Sequence, residues 1–290
     1  MDRKKEYRGI FFIILSAFCF AVMSMFIHMA GDLPSVQKSF FRNLVAAVFA
    51  CAVLLRQKGS FRFQGKNLKY FLLRSIFGTL GILCNFYAVD HLVLADASML
   101  NKMSPFFAVL FSWLLLKEKV TVKQFLIILG AFLGSLFVVK PTFSNLELIP
   151  SFIGLAGGIC AGAAYTMVRK LGENGEKGPF IVFFFSAFSC IVVLPWILFH
   201  YQPMTPGQIL ILLLGGLAAA GGQFAITAAY CCAPASRISV YDYSQLIFST
   251  VLGFFAFGQI PDILSFVGYG IICLMAVTMF FYNNRRSRDS

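Results

Sequence analysis

One stretch of the sequence decides the fold: LADASMLNKMSPFFAVLFSWLLLKEK, residues Leu94–Lys119. It begins with polar residues, continues as an apolar helix interrupted by Pro105, and closes on charged residues around Glu118. Because about 20 apolar residues cross the hydrocarbon of a bilayer as a helix, this run predicts a membrane span. Asn101 and Lys102 nevertheless lie in its first third, where a buried polar group needs a partner or water. The stretch therefore predicts a broken membrane helix that carries function.

The composition of the whole chain agrees with this prediction. Of its 290 residues 59% are hydrophobic and 12% are charged, whereas a soluble domain carries about 25% charged residues. The formal net charge of +12 is typical of cytoplasmic loops rich in Lys and Arg, so it does not predict a nucleic-acid partner. The eight cysteines lie mostly inside apolar runs without metal-ligand spacing. We therefore expect an all-α polytopic membrane protein with neither a metal nor a cofactor.

Hydropathy predicts ten transmembrane helices joined by short links. We expect them at Gly9–Ala30, Ser35–Leu55, Leu68–Val89, Ala95–Leu116, Val122–Val139, Ser151–Val168, Pro179–Phe199, Pro206–Ala229, Ala235–Phe257 and Ile263–Tyr282. Prolines lie at or near several of these starts, where a missing N–H costs little.

The loops predict the orientation of these helices. If the N-terminus is cytoplasmic, most of the Lys and Arg residues fall in segments on the same side, including Arg74 near the start of the third helix. Positive charge concentrates in cytoplasmic loops. We therefore predict that both termini are cytoplasmic and that the protein lies in the plasma (inner) membrane.

The two halves of the chain repeat one design. Pro105…Glu118 aligns without gaps with Leu246…Gln259, and each aligned segment is preceded by a similar set of helices. The predicted repeats are residues 1–144 and 145–290. Because each contains five helices, an odd number, the second repeat is inverted relative to the first. Inverted repeats place a binding site between the halves near the middle of the membrane.

Several short motifs carry a family resemblance. They are Ser39-Phe40-Phe41-Arg42, Ala95-Asp96-Ala97-Ser98 with Pro105, Leu114-Leu115-Leu116-Lys117-Glu118, and Tyr243-Ser244-Gln245 with Phe257-Gly258-Gln259. In their order and doubled spacing the chain resembles the ten-helix drug/metabolite transporter superfamily, in its EamA branch. The resemblance implies transport of small organic metabolites through a cavity lined by the first, third, fourth, sixth, eighth and ninth helices. The second copy departs from the first in having Gln259 where the first has Glu118.

Two charged residues within spans are the leading site candidates. Lys102, beside Asn101, is predicted to bind an anionic group or to carry a proton, although it could instead extend to the membrane surface. Asp242 aligns with Asn101, so inversion of the repeats places it opposite Lys102. A carboxylate between tyrosines suits a cationic amine or a proton carrier. The structural alternative is a permanent ion pair between Asp242 and Lys102 or Arg237.

Other polar residues complete the predicted site. The neighbours of Asp242 with a substrate-binding role are Tyr241, Tyr243 and Gln245. Tyr87, Asn85, Tyr165 and Gln223 are expected to line the cavity. Arg42, Glu118, Asp90 and Asp96 are expected to act as gating or structural charges, with Arg42 either holding a carboxylate or bridging to Asp90 or Asp96.

These observations predict a secondary active transporter and not an enzyme, because the sequence contains no paired carboxylates, metal cluster or nucleophile triad. The expected substrate is a small polar metabolite, an amino acid or related zwitterion, moved by alternating access, with proton coupling left open. The alternative is an extruder of hydrophobic or quaternary organic cations. Besides the substrate, the expected partners are membrane lipid and, if transport is proton-coupled, protons. The expected oligomeric state is a monomer or a homodimer.

Overall fold

A computed structural model describes residues 3–57, 63–91, 100–139, 148–258 and 260–286. These residues form helices and contain no strand. The main helices are α1 (Arg3–Met29), α2 (Ser35–Arg56), α3 (Leu68–His91), α4 (Ser104–Leu116), α5 (Val122–Val139), α6 (Leu148–Glu173), α7 (Gly178–His200), α8 (Pro206–Cys232), α9 (Ser244–Phe257) and α10 (Ile263–Arg286). Within this described part, eight helices are long and apolar enough to cross a membrane. The predicted all-α membrane fold is confirmed.

Several helices extend beyond the predicted spans because polar residues continue them past the apolar window. α1 begins at Arg3 rather than Gly9, α6 runs to Glu173 rather than Val168, and α10 runs to Arg286 rather than Tyr282. A hydropathy window detects only the part of a helix that matches the hydrocarbon. The polar ends of these helices therefore lie outside the apolar windows that predicted the spans.

The fourth and ninth membrane segments are broken helices. Leu100 and Asn101 are helical, Lys102 and Met103 form a turn, and α4 then starts with Pro105 in its first turn. This confirms the break predicted from Pro105, while residues 92–99 lie outside the described ranges. The predicted continuous helix Ala235–Phe257 is wrong. It consists of a short helix at Ala235–Ile238, a 3₁₀ turn at Ser239–Tyr243, and α9.

The ends of α4 and α9 also correspond between the repeats. Lys117 after α4 has φ of 55° and Gly258 after α9 has φ of 67°, so both helices close in the left-handed conformation. These two positions align with each other in the repeat. Glycine adopts this conformation without steric cost, whereas a lysine there is strained. Lys117 is the only non-glycine residue with positive φ among those described.

The helices pack with approximate two-fold symmetry. α1 lies against α8, and correspondingly α6 lies against α3. α4 contacts α6 as α9 contacts α1, while α2 pairs with α7 and α5 pairs with α10. The contacts are not fully symmetric: α6 packs on α8, but among the described residues α1 and α3 make no comparably extensive contact.

Glycines allow α6 to approach the broken fourth segment closely. A Cβ atom at Gly158 would lie 2.5 Å from the carbonyl oxygen of Leu100, and one at Gly162 would lie 2.6 Å from Cβ of Phe107. Such small-residue faces permit close packing of membrane helices. These two glycines thus fix the position of the break beside Lys102.

The two described chain ends lie at the same end of the bundle. Tyr7 donates a hydrogen bond to Oδ1 of Asn284 at 3.0 Å. We call this the terminal end, and the opposite end, which contains Met29 and Ser35, the far end. Large apolar side chains such as Phe255 and Phe199 are exposed on the outer surface, as expected for contact with lipid.

Candidate functional site

The two broken segments bring Lys102 and Asp242 together in the interior. Both residues are buried, with 8% and 7% of their surface exposed. Nζ of Lys102 donates to Oε1 of Gln245 at 2.7 Å and lies 3.5 Å from Oδ2 of Asp242. The hydroxyl of Tyr243 donates to the carbonyl oxygen of Lys102 at 3.1 Å. The predicted residues Lys102, Asp242, Tyr243 and Gln245 therefore form one cluster.

This cluster lies on the axis that relates the repeats. Lys102 and Tyr243 occupy aligned positions, and residues related by a two-fold axis can touch each other only close to that axis. The break in the fourth segment also explains why backbone carbonyls there are free to accept hydrogen bonds. Pro105 lacks an N–H and so frees a carbonyl one turn earlier, while the turn at Lys102 exposes the carbonyl that Tyr243 satisfies.

Two stacked tyrosines form a wall beside the cluster. The rings of Tyr165 and Tyr230 lie 5.0 Å apart between centroids and are inclined by 11°. The hydroxyls of Tyr230 and Ser239 share a hydrogen bond at 3.3 Å, and both tyrosines lie within electrostatic range of Asp242. Sequence analysis identified Tyr165 but missed Tyr230, because the predicted eighth helix ended one residue before it.

A second charged cluster lies between α2, α3, α7 and α8. Arg74 is 3% exposed, so its assignment to the loop-side positive charges is wrong. Its guanidinium lies over the ring of Phe185 at 3.9 Å, and Nη2 donates to Oε1 of Gln223 at 3.4 Å. Arg42, on α2, lies 5.8 Å from the ring centroid of Phe20 and within electrostatic range of Arg74 and Tyr165.

Ion pairs close the terminal end beneath these clusters. Nε of Arg169 donates to Oε1 of Glu118 at 2.8 Å, and Nη2 lies 3.2 Å from Glu173. Nη1 of Arg169 reaches the carbonyl oxygens of Tyr230 and Cys231 at 3.4 Å, which ties α6 to α8. Burial raises the pKa of the Glu118 carboxyl above its usual range, although the hydrogen bond from Arg169 opposes this shift.

Further polar contacts hold the same end. Arg237 pairs with Glu6 on α1. Glu176 accepts hydrogen bonds from Nδ2 of Asn67 at 2.6 Å and from the amide of Gln64 at 3.0 Å. A cleft of about 330 Å³ remains between the side chains of Glu118, Arg169 and Arg237. Sequence analysis predicted Glu118 here but missed its partner Arg169, which the sequence places 51 residues away.

The remaining predicted residues are less closely connected. Asn101 is half-buried beside Lys102, and Asn85 is half-buried on α3 where α6 approaches. Tyr87 is 38% exposed, and its ring stacks on His91 at 4.1 Å, away from the central pair. Tyr241 is buried, and its hydroxyl has no partner among the described residues. Asp96 and the side chain of Asp90 lie outside the described residues.

The fold and the site together define a class of protein: a polytopic membrane transporter built from two inverted repeats. The sequence pattern of the EamA-like transporter family matches residues 7–140 and 148–281. The chain belongs to this family, which confirms the resemblance seen in the motifs. Members of a transporter family move solutes, so the protein is not an enzyme.

Named relatives are transporters that match almost the whole chain. The pseudopaline exporter CntI of Pseudomonas aeruginosa is 30% identical over 270 residues, which cover 92% of this chain and 94% of the exporter. The riboflavin transporter of Vibrio cholerae is 27% identical over 295 residues, covering 97% and 95%. A solved crystal structure superposes with a TM-score of 0.83 at 15% identity, over 96% of this chain and 98% of that chain, which supports the fold.

Proposed function

We propose that the protein is a secondary active transporter of a small polar metabolite, an amino acid or related zwitterion. The relatives named for pseudopaline and riboflavin support a small organic solute. The matched ranges 7–140 and 148–281 support two repeats with a boundary between them, which we place at residues 144 and 145. The distribution of basic residues supports a plasma-membrane protein whose termini are cytoplasmic.

The observation that carries this proposal is the buried Lys102–Asp242 pair on the axis between the repeats. Separating two buried charges is unfavourable unless each finds a new partner. A zwitterionic solute supplies both partners, because its carboxylate can replace Asp242 beside Lys102 and its amine can replace Lys102 beside Asp242. Tyr165 and Tyr230 then provide stacking surfaces for the body of the solute. Asn101, Tyr241 and Gln245 supply further hydrogen bonds.

The same exchange argues against the cation extruder. A hydrophobic cation bound to Asp242 displaces Lys102 and leaves that ammonium buried without a counter-charge. Such an uncompensated buried charge costs several kcal/mol, by order of magnitude. Gln245 alone, at 2.7 Å from Nζ, provides only a neutral acceptor.

Alternating access follows from the difference between the two ends. Ion pairs of Arg169 and Arg237 and the α6–α8 contact close the terminal end. The symmetry-related helices α1 and α3 lack a comparably extensive contact among the described residues, which supports entry of the solute from the far end. We infer that the solute exchanges the central ion pair, and that the repeats then rock to close the far end and open the terminal end.

The proposal is tested by transport into proteoliposomes that contain the full-length protein. Uptake of labelled amino acids is measured with and without an imposed pH gradient, against protein-free liposomes. We expect Asp242→Asn and Lys102→Ala each to reduce uptake by about tenfold or more, because each leaves one buried charge unpaired. Lys66→Ala, at an exposed position before α3, is the matched charge-removal control and should retain uptake.

The outcomes separate the alternatives. Uptake that is unchanged in both Asp242→Asn and Lys102→Ala would contradict the proposed site. Transport of organic cations that is lost in Asp242→Asn but retained in Lys102→Ala would instead support the extruder. A dependence on the pH gradient that disappears in one of the two variants would identify that residue as the proton carrier.

A further inference from the structure

The second charged cluster, formed by Arg42 and Arg74, has no counter-charge among the described residues. Neither guanidinium lies within ion-pair distance of a described carboxylate, and Nε of each is buried without a hydrogen-bond partner. Burying a cation without an anion is strongly unfavourable in a membrane interior. The cluster therefore needs an anion that the described chain does not supply.

The surroundings of Arg74 hold its guanidinium in a fixed position. The ring of Phe185 lies on one side, and Gln223 accepts a hydrogen bond on another. A Cβ atom added at Gly78 would lie 2.1 Å from Nη1 of Arg74 and 2.6 Å from Cε2 of Phe185. The absence of a side chain at Gly78 thus creates the space that the guanidinium occupies, one turn along α3.

Other polar atoms on the same four helices are also buried without a hydrogen-bond partner among the described residues. They lie on the helices that surround the two arginines and include both donors and acceptors: Ser39 Oγ and Asn43 Oδ1 on α2, Ser75 Oγ on α3, Ser186 Oγ on α7, and Thr227 Oγ1 on α8. A buried polar atom without a hydrogen bond destabilises the folded state. Asn43 and Ser75 directly follow the two arginines in sequence, and buried polar atoms without partners are typical of helices that face a polar ligand.

The fold does not require these two cations. Residues 7–140 and 148–281 align end to end, in the register that pairs Pro105 with Leu246. In this register the counterpart of Arg42 is Phe183 on α7, and the counterpart of Arg74 is Gly215 on α8. The second repeat therefore builds equivalent helices without either charge, so the arginines serve something other than helix packing.

We propose that Arg42 and Arg74 form a carboxylate subsite for the transported solute. This inference rests on the proposed function and refines its substrate class. Lys102 and Asp242 balance each other, and a simple zwitterion brings no net negative charge to the two arginines. A solute with at least one more carboxylate than amines supplies the missing charge, and the planar guanidinium groups suit bidentate contact with carboxylates. The subsite thus selects anionic amino-acid derivatives or polycarboxylates.

The test is thermal stabilisation of the purified full-length protein by alanine, glutamate and citrate, with tetraphenylphosphonium as a cationic probe. A ligand that binds the folded state raises the melting temperature with its concentration. We expect glutamate and citrate to stabilise the wild type more than alanine does. Arg74→Gln should raise their apparent Kd by about tenfold or more, because it removes a charge-assisted contact. Arg56→Gln, at an exposed arginine, should leave the affinity unchanged.

A second variant separates position from charge. Gly78→Ala retains the positive charge of Arg74 but displaces its guanidinium, and it should weaken glutamate and citrate as Arg74→Gln does. The melting temperature without ligand distinguishes a structural role. A ligand-binding arginine predicts that Arg74→Gln melts no lower than the wild type, whereas a marked loss of stability without ligand would overturn the proposal.

Three further outcomes would overturn the subsite, and one of them would also overturn the proposed function. Stabilisation by alanine that is equal in wild type and Arg74→Gln, without stabilisation by the other carboxylates, overturns the subsite and leaves the zwitterion transporter intact. Stabilisation by tetraphenylphosphonium alone overturns both proposals. Absence of any shift with glutamate and citrate in the wild type overturns the subsite.

Discussion

The terminal end and the far end of the bundle are related by the repeat, yet different chemistry holds them. At the terminal end Glu118 pairs with Arg169 at 2.8 Å. The aligned positions at the far end are Gln259, which lies outside the described residues, and His28, whose ring lies 4.9 Å from that of Phe257. The terminal end therefore has a charged pair where the far end has an amide and an imidazole, and each pair takes one residue from each repeat.

This difference explains which end is closed. Arg169 joins Glu118 and Glu173 and reaches two carbonyls of α8, so several contacts must break together before the terminal end opens. Charge-assisted hydrogen bonds are roughly twice as strong as neutral ones. An inverted-repeat transporter with two identical ends has no preferred direction of opening. From the ion pairs at the terminal end we therefore expect a resting state in which that end is the closed one.

The largest effect is expected when the Glu118–Arg169 ion pair is replaced by the residue types found at the aligned positions of the far end. The double variant Glu118→Gln with Arg169→His should open the terminal end, because it replaces the charged pair with neutral groups. Cys231 reports this opening, since its Sγ would lie 2.6 Å from a Cβ at Gly172 in the α6–α8 contact. With the other cysteines replaced by serine, we expect labelling of Cys231 by a polar maleimide to accelerate by about tenfold.

A cysteine introduced at Arg56, an exposed position at the terminal end of α2, provides the control for this measurement. Its labelling rate should not change in the double variant, because a polar reagent reaches it whether the terminal end is open or closed. An unchanged rate at Cys231 would show that the Glu118–Arg169 pair does not hold the terminal end closed.

A smaller effect is expected from pH. Burial raises the pKa of Glu118, so its carboxyl takes up a proton at a higher pH than an exposed glutamate does. The neutral acid no longer attracts Arg169, so the Glu118–Arg169 interaction weakens as the pH falls through this raised pKa. The rate of labelling of Cys231, divided by the rate at the control cysteine introduced at position 56 at the same pH, should then rise about threefold. Glu118→Gln should abolish this pH dependence, and persistence of the dependence would assign it to another group.

The smallest effect concerns the C-terminal ends of helices α4 and α9. Lys117→Gly should stabilise the protein by about 1 kcal/mol, because it relieves the left-handed conformation at φ of 55°. Gly258→Ala, at the aligned position with φ of 67°, should destabilise by a similar amount. Melting temperatures of both variants check this prediction. Equal and negligible shifts would mean that the two caps differ in sequence but not in strain.

Much of the fold could be predicted from the sequence because the positions of membrane helices depend on local properties, namely apolar length and helix-breaking residues. Apolar length located all ten segments, and Pro105 identified the first break. The break before α9 was missed because no proline lies within Ser239–Tyr243. Tyr243 and Asp242 there are held by contacts with Lys102, which lies 140 or more residues away. Their backbone conformation is thus a consequence of tertiary packing rather than of local propensity.

The candidate site divides in the same way. Lys102 and Asp242 stood out because a charge within an apolar run is detectable by inspection, and the repeat register placed them opposite each other. Arg74 did not stand out, because it lies two turns from a helix end where lysines and arginines are common. Only the packing of α3 against α7 reveals that its guanidinium lies on Phe185 in the interior.

The sequence by itself determined that this chain is a ten-segment membrane transporter of the EamA-like family with an inverted repeat. These properties depend on hydropathy, on the odd number of helices in each repeat and on aligned motifs. All three are visible in the linear sequence. The repeat register already placed Lys102 opposite Asp242, and the tertiary structure alone decided the partners of the other charges. Lys102 meets Asp242, Arg169 meets Glu118, and Arg42 and Arg74 meet no described acid, because side-chain partners are set by helices that are distant in sequence and adjacent in space.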